Sequence, residues 1–149
     1  MTATAAPGAT VVMRRTFNAP AARVFRAWSD PSIAKRWSWG PSFDTVSIDL
    51  DCRTGGTWRQ HIHDRDTGEN WYFDGIFQEV VPNRKLVHTF HFRNDRGYDE
   101  PPSVVTIEFL EHDDATDLVL THTQLADSKV KETTKGWEDI FGVLQHIVE

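Results

Sequence analysis

The alternation of apolar and polar positions divides the chain into three regions. From Val11 to Phe17 (VVMRRTF), β-branched and aromatic residues predict a first strand, closed by Asn18-Ala19-Pro20. The period then becomes helical. Val24, Phe25 and Trp28 fall on one stripe of AARVFRAW, and Pro20 suits a first-turn position. A second short helix is predicted over residues 30–37, with Asp30 as N-cap and Pro31 at the first helical position, ended by Trp39-Gly40-Pro41.

From there to Gln124 the period is two. Strands over 44–51, 56–63, 71–81, 85–92, 103–111 and 117–124, broken by turn-forming residues at 54–56, 64–69, 82–84, 94–97 and 113–115, predict an antiparallel meander. One face is apolar and carries Trp58, Gln60 and Ile62, then Phe73, Gly75 and Phe77. It continues through Leu86, His88, Phe90 and Phe92 to Val105, Ile107 and Phe109, and ends with Leu118, Leu120 and His122. The other face, with Arg59, His61, His63, Asp74, Thr106, Glu108, Thr121 and Thr123, is mostly polar and meets water.

An apolar sheet face requires a cover, and the remaining long pattern, Val130 to Val148, supplies one. Trp137, Ile140, Phe141, Leu144 and Ile147 or Val148 recur at helical spacing. Gly136 and Gly142 each cost about 1 kcal/mol relative to Ala, which argues against a straight helix unless a neighbour approaches closely there. The expected class is α+β, with about seven strands under one long helix.

At 149 residues the chain fits one domain that buries roughly 70% of its unfolded surface. The expected division is a flexible leader over 1–10 and a single domain over 11–149. MTATAAPGAT carries no cationic segment followed by an apolar core, so it does not read as a secretory signal, and no apolar run is long enough for a membrane span. A net charge of −6 removes the basic face that nucleic-acid binding needs. The single cysteine, Cys52, excludes an internal disulfide and suits a reducing cytosol, so a cytoplasmic location is expected. Within DLDCRTGG it reads as a small, partly buried residue with no nucleophile signature around it.

Chemistry-bearing motifs are few. His61 and His63 form H-x-H on the wet face, while His88 and His91 point to opposite faces, so the three or so protein ligands of a zinc site are not assembled and no metal is expected. Asp74 and Glu79 have opposite parity, and Asp49 and Asp51 face water, so no carboxylate pair forms. Phosphate-binding glycine loops and G-x-S-x-G are absent, and no catalytic residue or cofactor is assigned. His122, on the apolar face, reads either as a satisfied core histidine or as a polar group with a displaced pKa in a pocket.

The surplus is aromatic: 9 Phe, 6 Trp and 2 Tyr. Tight packing would make these residues a core, but a curved sheet wrapped on one helix leaves room between the layers. Such a pocket would be walled by Trp37, Trp39 and Phe43 at the entry to the sheet, by Trp58, Phe73, Phe77 and Phe90 on it, and by Trp137 and Phe141 on the helix. Gln60, His88 and His122 would orient a small apolar or aromatic ligand there.

The segments Arg36-Trp37-Ser38-Trp39-Gly40-Pro41 and Asp49-Leu50-Asp51-Cys52-Arg53-Thr54-Gly55-Gly56-Thr57-Trp58 resemble a known family. So do Gly75-Ile76-Phe77-Gln78-Glu79-Val80-Val81-Pro82, Leu118-Val119-Leu120-Thr121-His122-Thr123, and Gly136-Trp137 with Phe141 and Leu144. In this order they resemble the homologues of the C-terminal domain of the heat-shock-protein-90 ATPase activator, within the START-like (SRPBCC) superfamily. The likeness runs over about residues 12–148. It departs at Ser38, where the family commonly has a second tryptophan.

The resemblance implies the helix-grip fold and a cavity that often takes apolar ligands. Small-molecule binding is the leading expectation. The alternatives are a cyclase- or hydratase-type enzyme using His122 and a co-chaperone-like interaction module. Chaperone stimulation is not expected, because the activator family engages its chaperone chiefly through a separate N-terminal domain. A homodimer through the wet sheet face or the N-terminal region stays open.

Overall fold

A computed structural model describes residues 8–37 and 39–149; residues 1–7 of the expected leader and the departure at Ser38 lie outside the described residues. The chain runs β1 (Ala9–Phe17), α1 (Ala21–Ser29), α2 (Pro31–Ala34) and a 3-10 turn (Lys35–Trp37), then β2 (Phe43–Leu50), β3 (Thr57–Asp64) and β4 (Asn70–Val81). It continues through β5 (Lys85–Asn94), β6 (Ser103–His112), β7 (Ala115–Leu125), a second 3-10 turn (Asp127–Lys129) and α3 (Val130–Val148). The strands form one antiparallel sheet in the order β1-β7-β6-β5-β4-β3-β2, curved around α3 in the helix-grip arrangement.

Local chemistry sets the helices. Pro20 flanks α1 in an extended conformation, and Ala21, Val24, Phe25, Ala27 and Trp28 are its buried residues. Asp30 caps α2 as expected: its carboxylate accepts from Ser32 N–H at 2.9 Å, and Pro31 occupies the first turn. The predicted helix over 30–37 tightens into 3-10 geometry after Ala34. That tightening brings the Trp37 indole N–H to the Ala27 carbonyl at 2.8 Å, so the short helices are tied together by a buried bond.

The strands extend the period-two pattern by a residue or two at several ends, and β1 opens at Ala9. One rung crosses the sheet as Phe77, His88, Val105, His122 and Val11, placing both apolar-face histidines on alternate strands of a single row. The alternation breaks in β4, where the register shifts between Phe77 and Glu79. Just before that bulge, β4 and β5 come unusually close at Gly75: a Cβ there would lie 2.0 Å from the Thr89 carbonyl oxygen. Only glycine fits without displacing backbone.

α3 forms without interruption through Gly136 and Gly142. A Cβ added at either would meet no atom within 4 Å, so close packing does not account for these glycines. Trp137, Ile140, Phe141, Leu144 and Val148 are the face that α3 buries.

Candidate functional site

The site is built around one tryptophan. Trp39 has a backbone φ of 52°, uncommon for a bulky residue, and Gly40 follows at 131°. This turn directs the indole inward, where its N–H donates to Oε1 of Gln60 at 2.9 Å. Gln60 is buried on β3, and its amide donates in turn to Oγ1 of Thr45 at 3.2 Å. The Trp39 ring stacks on Phe73 with centroids 4.6 Å apart and planes 12° apart. It also lies 5.6 Å from Phe90 and 5.7 Å from Trp137, so it bridges the sheet and α3.

Two spaces lie on either side of Trp39. The larger is an open cleft of about 350 Å³. Phe73, Phe90, Phe92 and His122 of the sheet line it with Trp137 and Ile140 of α3, while Phe43 and Trp71 stand at its side. Glu100, Lys129 and Glu132 supply its charged residues. The smaller is a chamber of about 30 Å³ lined by Trp28, Trp37, Trp58, Phe77, Gln60 and His88 among others. Trp39 and Trp137 line both spaces, so the two indoles form the partition between them. Eleven of the twelve residues singled out from sequence line one space or the other. Phe141 lines neither; its ring lies 6.2 Å from those of Phe17 and Trp137 in the core.

The polar groups are closely specified. Trp137 Nε1–H donates to Nδ1 of His122 at 3.1 Å. Since that nitrogen accepts, the proton sits on Nε2, which donates to the Ser103 hydroxyl at 2.7 Å. Ser103 passes its own proton toward the Phe90 carbonyl at 3.3 Å. Burial, and then the neighbouring His88, push the His122 pKa down from 6.5 to about 4, so the imidazole is neutral with both nitrogens engaged. His88 is likewise pushed down to about 4 by burial, against a partly compensating bond from Nδ1–H to the Thr89 carbonyl at 2.8 Å.

Groups outside the cavity have local roles. His61 Nε2 and His63 Nδ1 both lie within bonding distance of Asn70 Oδ1, at 2.9 and 3.2 Å. His91 stands between Asp99 and Asp74 at 2.7 and 3.2 Å. Burial, with Asp51 nearby, pushes the Cys52 thiol up to about 11, which leaves no thiolate nucleophile near neutrality. Among the described residues no group of three or more His, Cys, Asp or Glu could hold a metal, and no helix is long and apolar enough to cross a membrane.

Several lining residues were missed in the sequence. Trp71 shares parity with Phe73 at the start of the predicted strand over 71–81, and Phe92 lies on the apolar face of the strand over 85–92, so both carry the signal, although the expected pocket wall leaves them out. Trp28 belonged to the α1 stripe, but nothing in that stripe says that its indole edge reaches a chamber. Lys129 and Glu132 carry no local signal, because they reach the cleft only through the docking of the N-terminal end of α3.

Residues 18–149 match the family model described as Activator of Hsp90 ATPase homolog 1-like protein. The chain belongs to that family, and its fold is START-like. A protein from Chromobacterium violaceum is similar at 24% identity with a TM-score of 0.83, the match covering 94% of this chain and 96% of that one. A putative uncharacterized protein from Rhizobium leguminosarum is 28% identical with a TM-score of 0.80, covering 94% and 93%. The AHSA1 protein from Silicibacter pomeroyi is 23% identical with a TM-score of 0.80, covering 93% and 96%. No curated protein matches the sequence.

Proposed function

We propose that this family member binds a small apolar or aromatic molecule between the sheet and α3. The observation that carries the reading is the cleft of about 350 Å³, walled by aromatic rings from both layers and separated from a second, smaller space by the indoles of Trp39 and Trp137. Burial against those rings would supply the affinity, and polar groups the orientation. A titration with naphthalene and with fatty acids, followed by tryptophan fluorescence and melting temperature, tests it. A ligand of the folded state present at about 100 times its Kd adds about 2.7 kcal/mol of stability and raises the midpoint. No shift across such a panel would remove the proposal.

The hydrogen bonding of His122 favours binding over catalysis. A general base needs a free lone pair, and a general acid needs a proton that it can give up. Here Nδ1 is taken by Trp137, and the Nε2 proton is directed at Ser103. The family description, which names an activator of the Hsp90 ATPase, supports a second reading as a co-chaperone. Stimulation of a purified Hsp90 ATPase by this protein, measured without added small molecules, would favour that reading over the first.

A further inference from the structure

The inner chamber is lined by a residue with an unmet donor, Trp28, and by one with an imidazole acceptor, His88. Trp28 is 7% exposed, and its Nε1 is the one buried side-chain nitrogen or oxygen among the described residues with no hydrogen-bond partner. A buried N–H left unpaired is costly, by about 1–3 kcal/mol, and calls for a partner. His88, which also lines the chamber, is 6% exposed. Its Nδ1 faces the Thr89 carbonyl at 2.8 Å, and a carbonyl only accepts, so Nδ1 holds the proton. Nε2 of the neutral ring is then the acceptor nitrogen.

The shape and charge of the chamber narrow the choice. No Asp, Glu, Lys or Arg lines it, so a charged group would enter unpaired. A carboxylate accepts from Trp28 but repels the His88 lone pair, while an ammonium gives Trp28 nothing to donate to. One oxygen that both accepts and donates satisfies the pair, and a space of about 30 Å³ holds about one such atom with its hydrogen.

We propose that the chamber is a hydroxyl-recognition subsite, in which Trp28 Nε1–H donates to the oxygen of a phenol or alcohol and that O–H donates to His88 Nε2. The inference rests on the ligand-binding reading above and deepens it: the ligand is a hydroxylated aromatic or alicyclic molecule with its body in the cleft and its hydroxyl beyond the partition. Trp39 borders both spaces, so a ring stacked on Phe73 in its place would join them. A resident water offers the same chemistry as the hydroxyl, and the experiment separates the two.

The test compares 2-naphthol with naphthalene by isothermal titration on the full chain, and follows the Trp28 indole N–H by ¹⁵N NMR. A hydroxyl that completes the pair should make 2-naphthol bind about tenfold tighter or better. It should also move the Trp28 indole proton downfield, while naphthalene leaves that proton in place. Trp28→Phe should abolish the difference while keeping the affinity for naphthalene. Equal affinities with an unmoved Trp28 signal would overturn the hydroxyl subsite, leaving a chamber that holds water only, with the apolar cleft intact. Failure of both probes to bind would overturn the cleft reading and the subsite with it. If Trp28→Phe does not fold, the wild-type affinity ratio and indole signal still decide.

Discussion

Trp137 on α3 donates its indole proton to Nδ1 of His122 on β7 at 3.1 Å, and this bond fixes both the tautomer of the imidazole and the seat of the helix on the sheet. Protonating His122 would set an N–H against an N–H. Trp137→Phe removes the donor and keeps most of the ring, so it is expected to destabilise by about 1–3 kcal/mol through the orphaned lone pair and lost packing. It should also let the His122 pKa rise from about 4, since protonation no longer opposes a donor. An NMR titration of the imidazole in the variant checks this; an unchanged pKa would show that burial and His88 set it without Trp137.

Acid stability follows from the same two histidines. Both are lowered from 6.5 to about 4, chiefly by burial, so the unfolded chain binds protons that the folded chain refuses. Stability is therefore complete above about pH 6.5 and falls as pH drops toward 4, by on the order of 2 kcal/mol per histidine at pH 5. His91 acts in the opposite direction, because bonds to Asp99 and then Asp74 raise its pKa. It is more exposed, and its contribution is correspondingly screened. Urea midpoints at pH 7 and pH 5 should show the loss. His88→Phe, which cannot titrate, should reduce the difference between them.

The fold was legible in the sequence because nearly every strand is half-buried: period two holds from Trp58 to His122 and fails chiefly at the β4 bulge. The candidate pocket was legible as a face, not as a cavity. Parity places Phe73, Phe90 and His122 on one surface. It does not say that Trp39, reached through a left-handed turn, occupies the middle of the space, or that Phe141 turns into the core beside Phe17. Ser103 escaped notice for the same reason: a serine at the start of a strand is ordinary until the fold sets its hydroxyl 2.7 Å from a buried imidazole.

Two glycines should respond in opposite ways. Gly75→Ala places a Cβ 2.0 Å from the Thr89 carbonyl, a backbone atom in the middle of a sheet, and should destabilise by about 3 kcal/mol or more, or prevent folding. Gly142→Ala meets nothing within 4 Å on an α-helix and should stabilise by about 0.5–1 kcal/mol, raising the melting midpoint by about 2–4 °C. Thermal melts of the two variants check the contrast. A neutral Gly75→Ala would mean that β4 and β5 are not locked together at that point.

Trp39 separates packing from access. Its indole contributes a stack on Phe73 and a bond to Gln60, against a backbone held at φ 52°, and it divides the cleft from the chamber. Trp39→Ala leaves Gln60 Oε1 without its donor and a void where the ring was, so the free protein should lose about 2–4 kcal/mol. Binding should move the other way. A ligand that reaches from the cleft into the chamber of the wild type must first displace the indole, and its apparent affinity is reduced by the fraction of molecules in which the two spaces are joined. Removing the ring removes that penalty, so 2-naphthol should bind the variant about tenfold more tightly and faster, despite the lower melting temperature of the free form. Stopped-flow association rates and ligand-dependent melting of the two proteins decide the matter. If Trp39→Ala loses stability and gains no affinity, the indole is a fixed part of the core and the two spaces are not parts of one site.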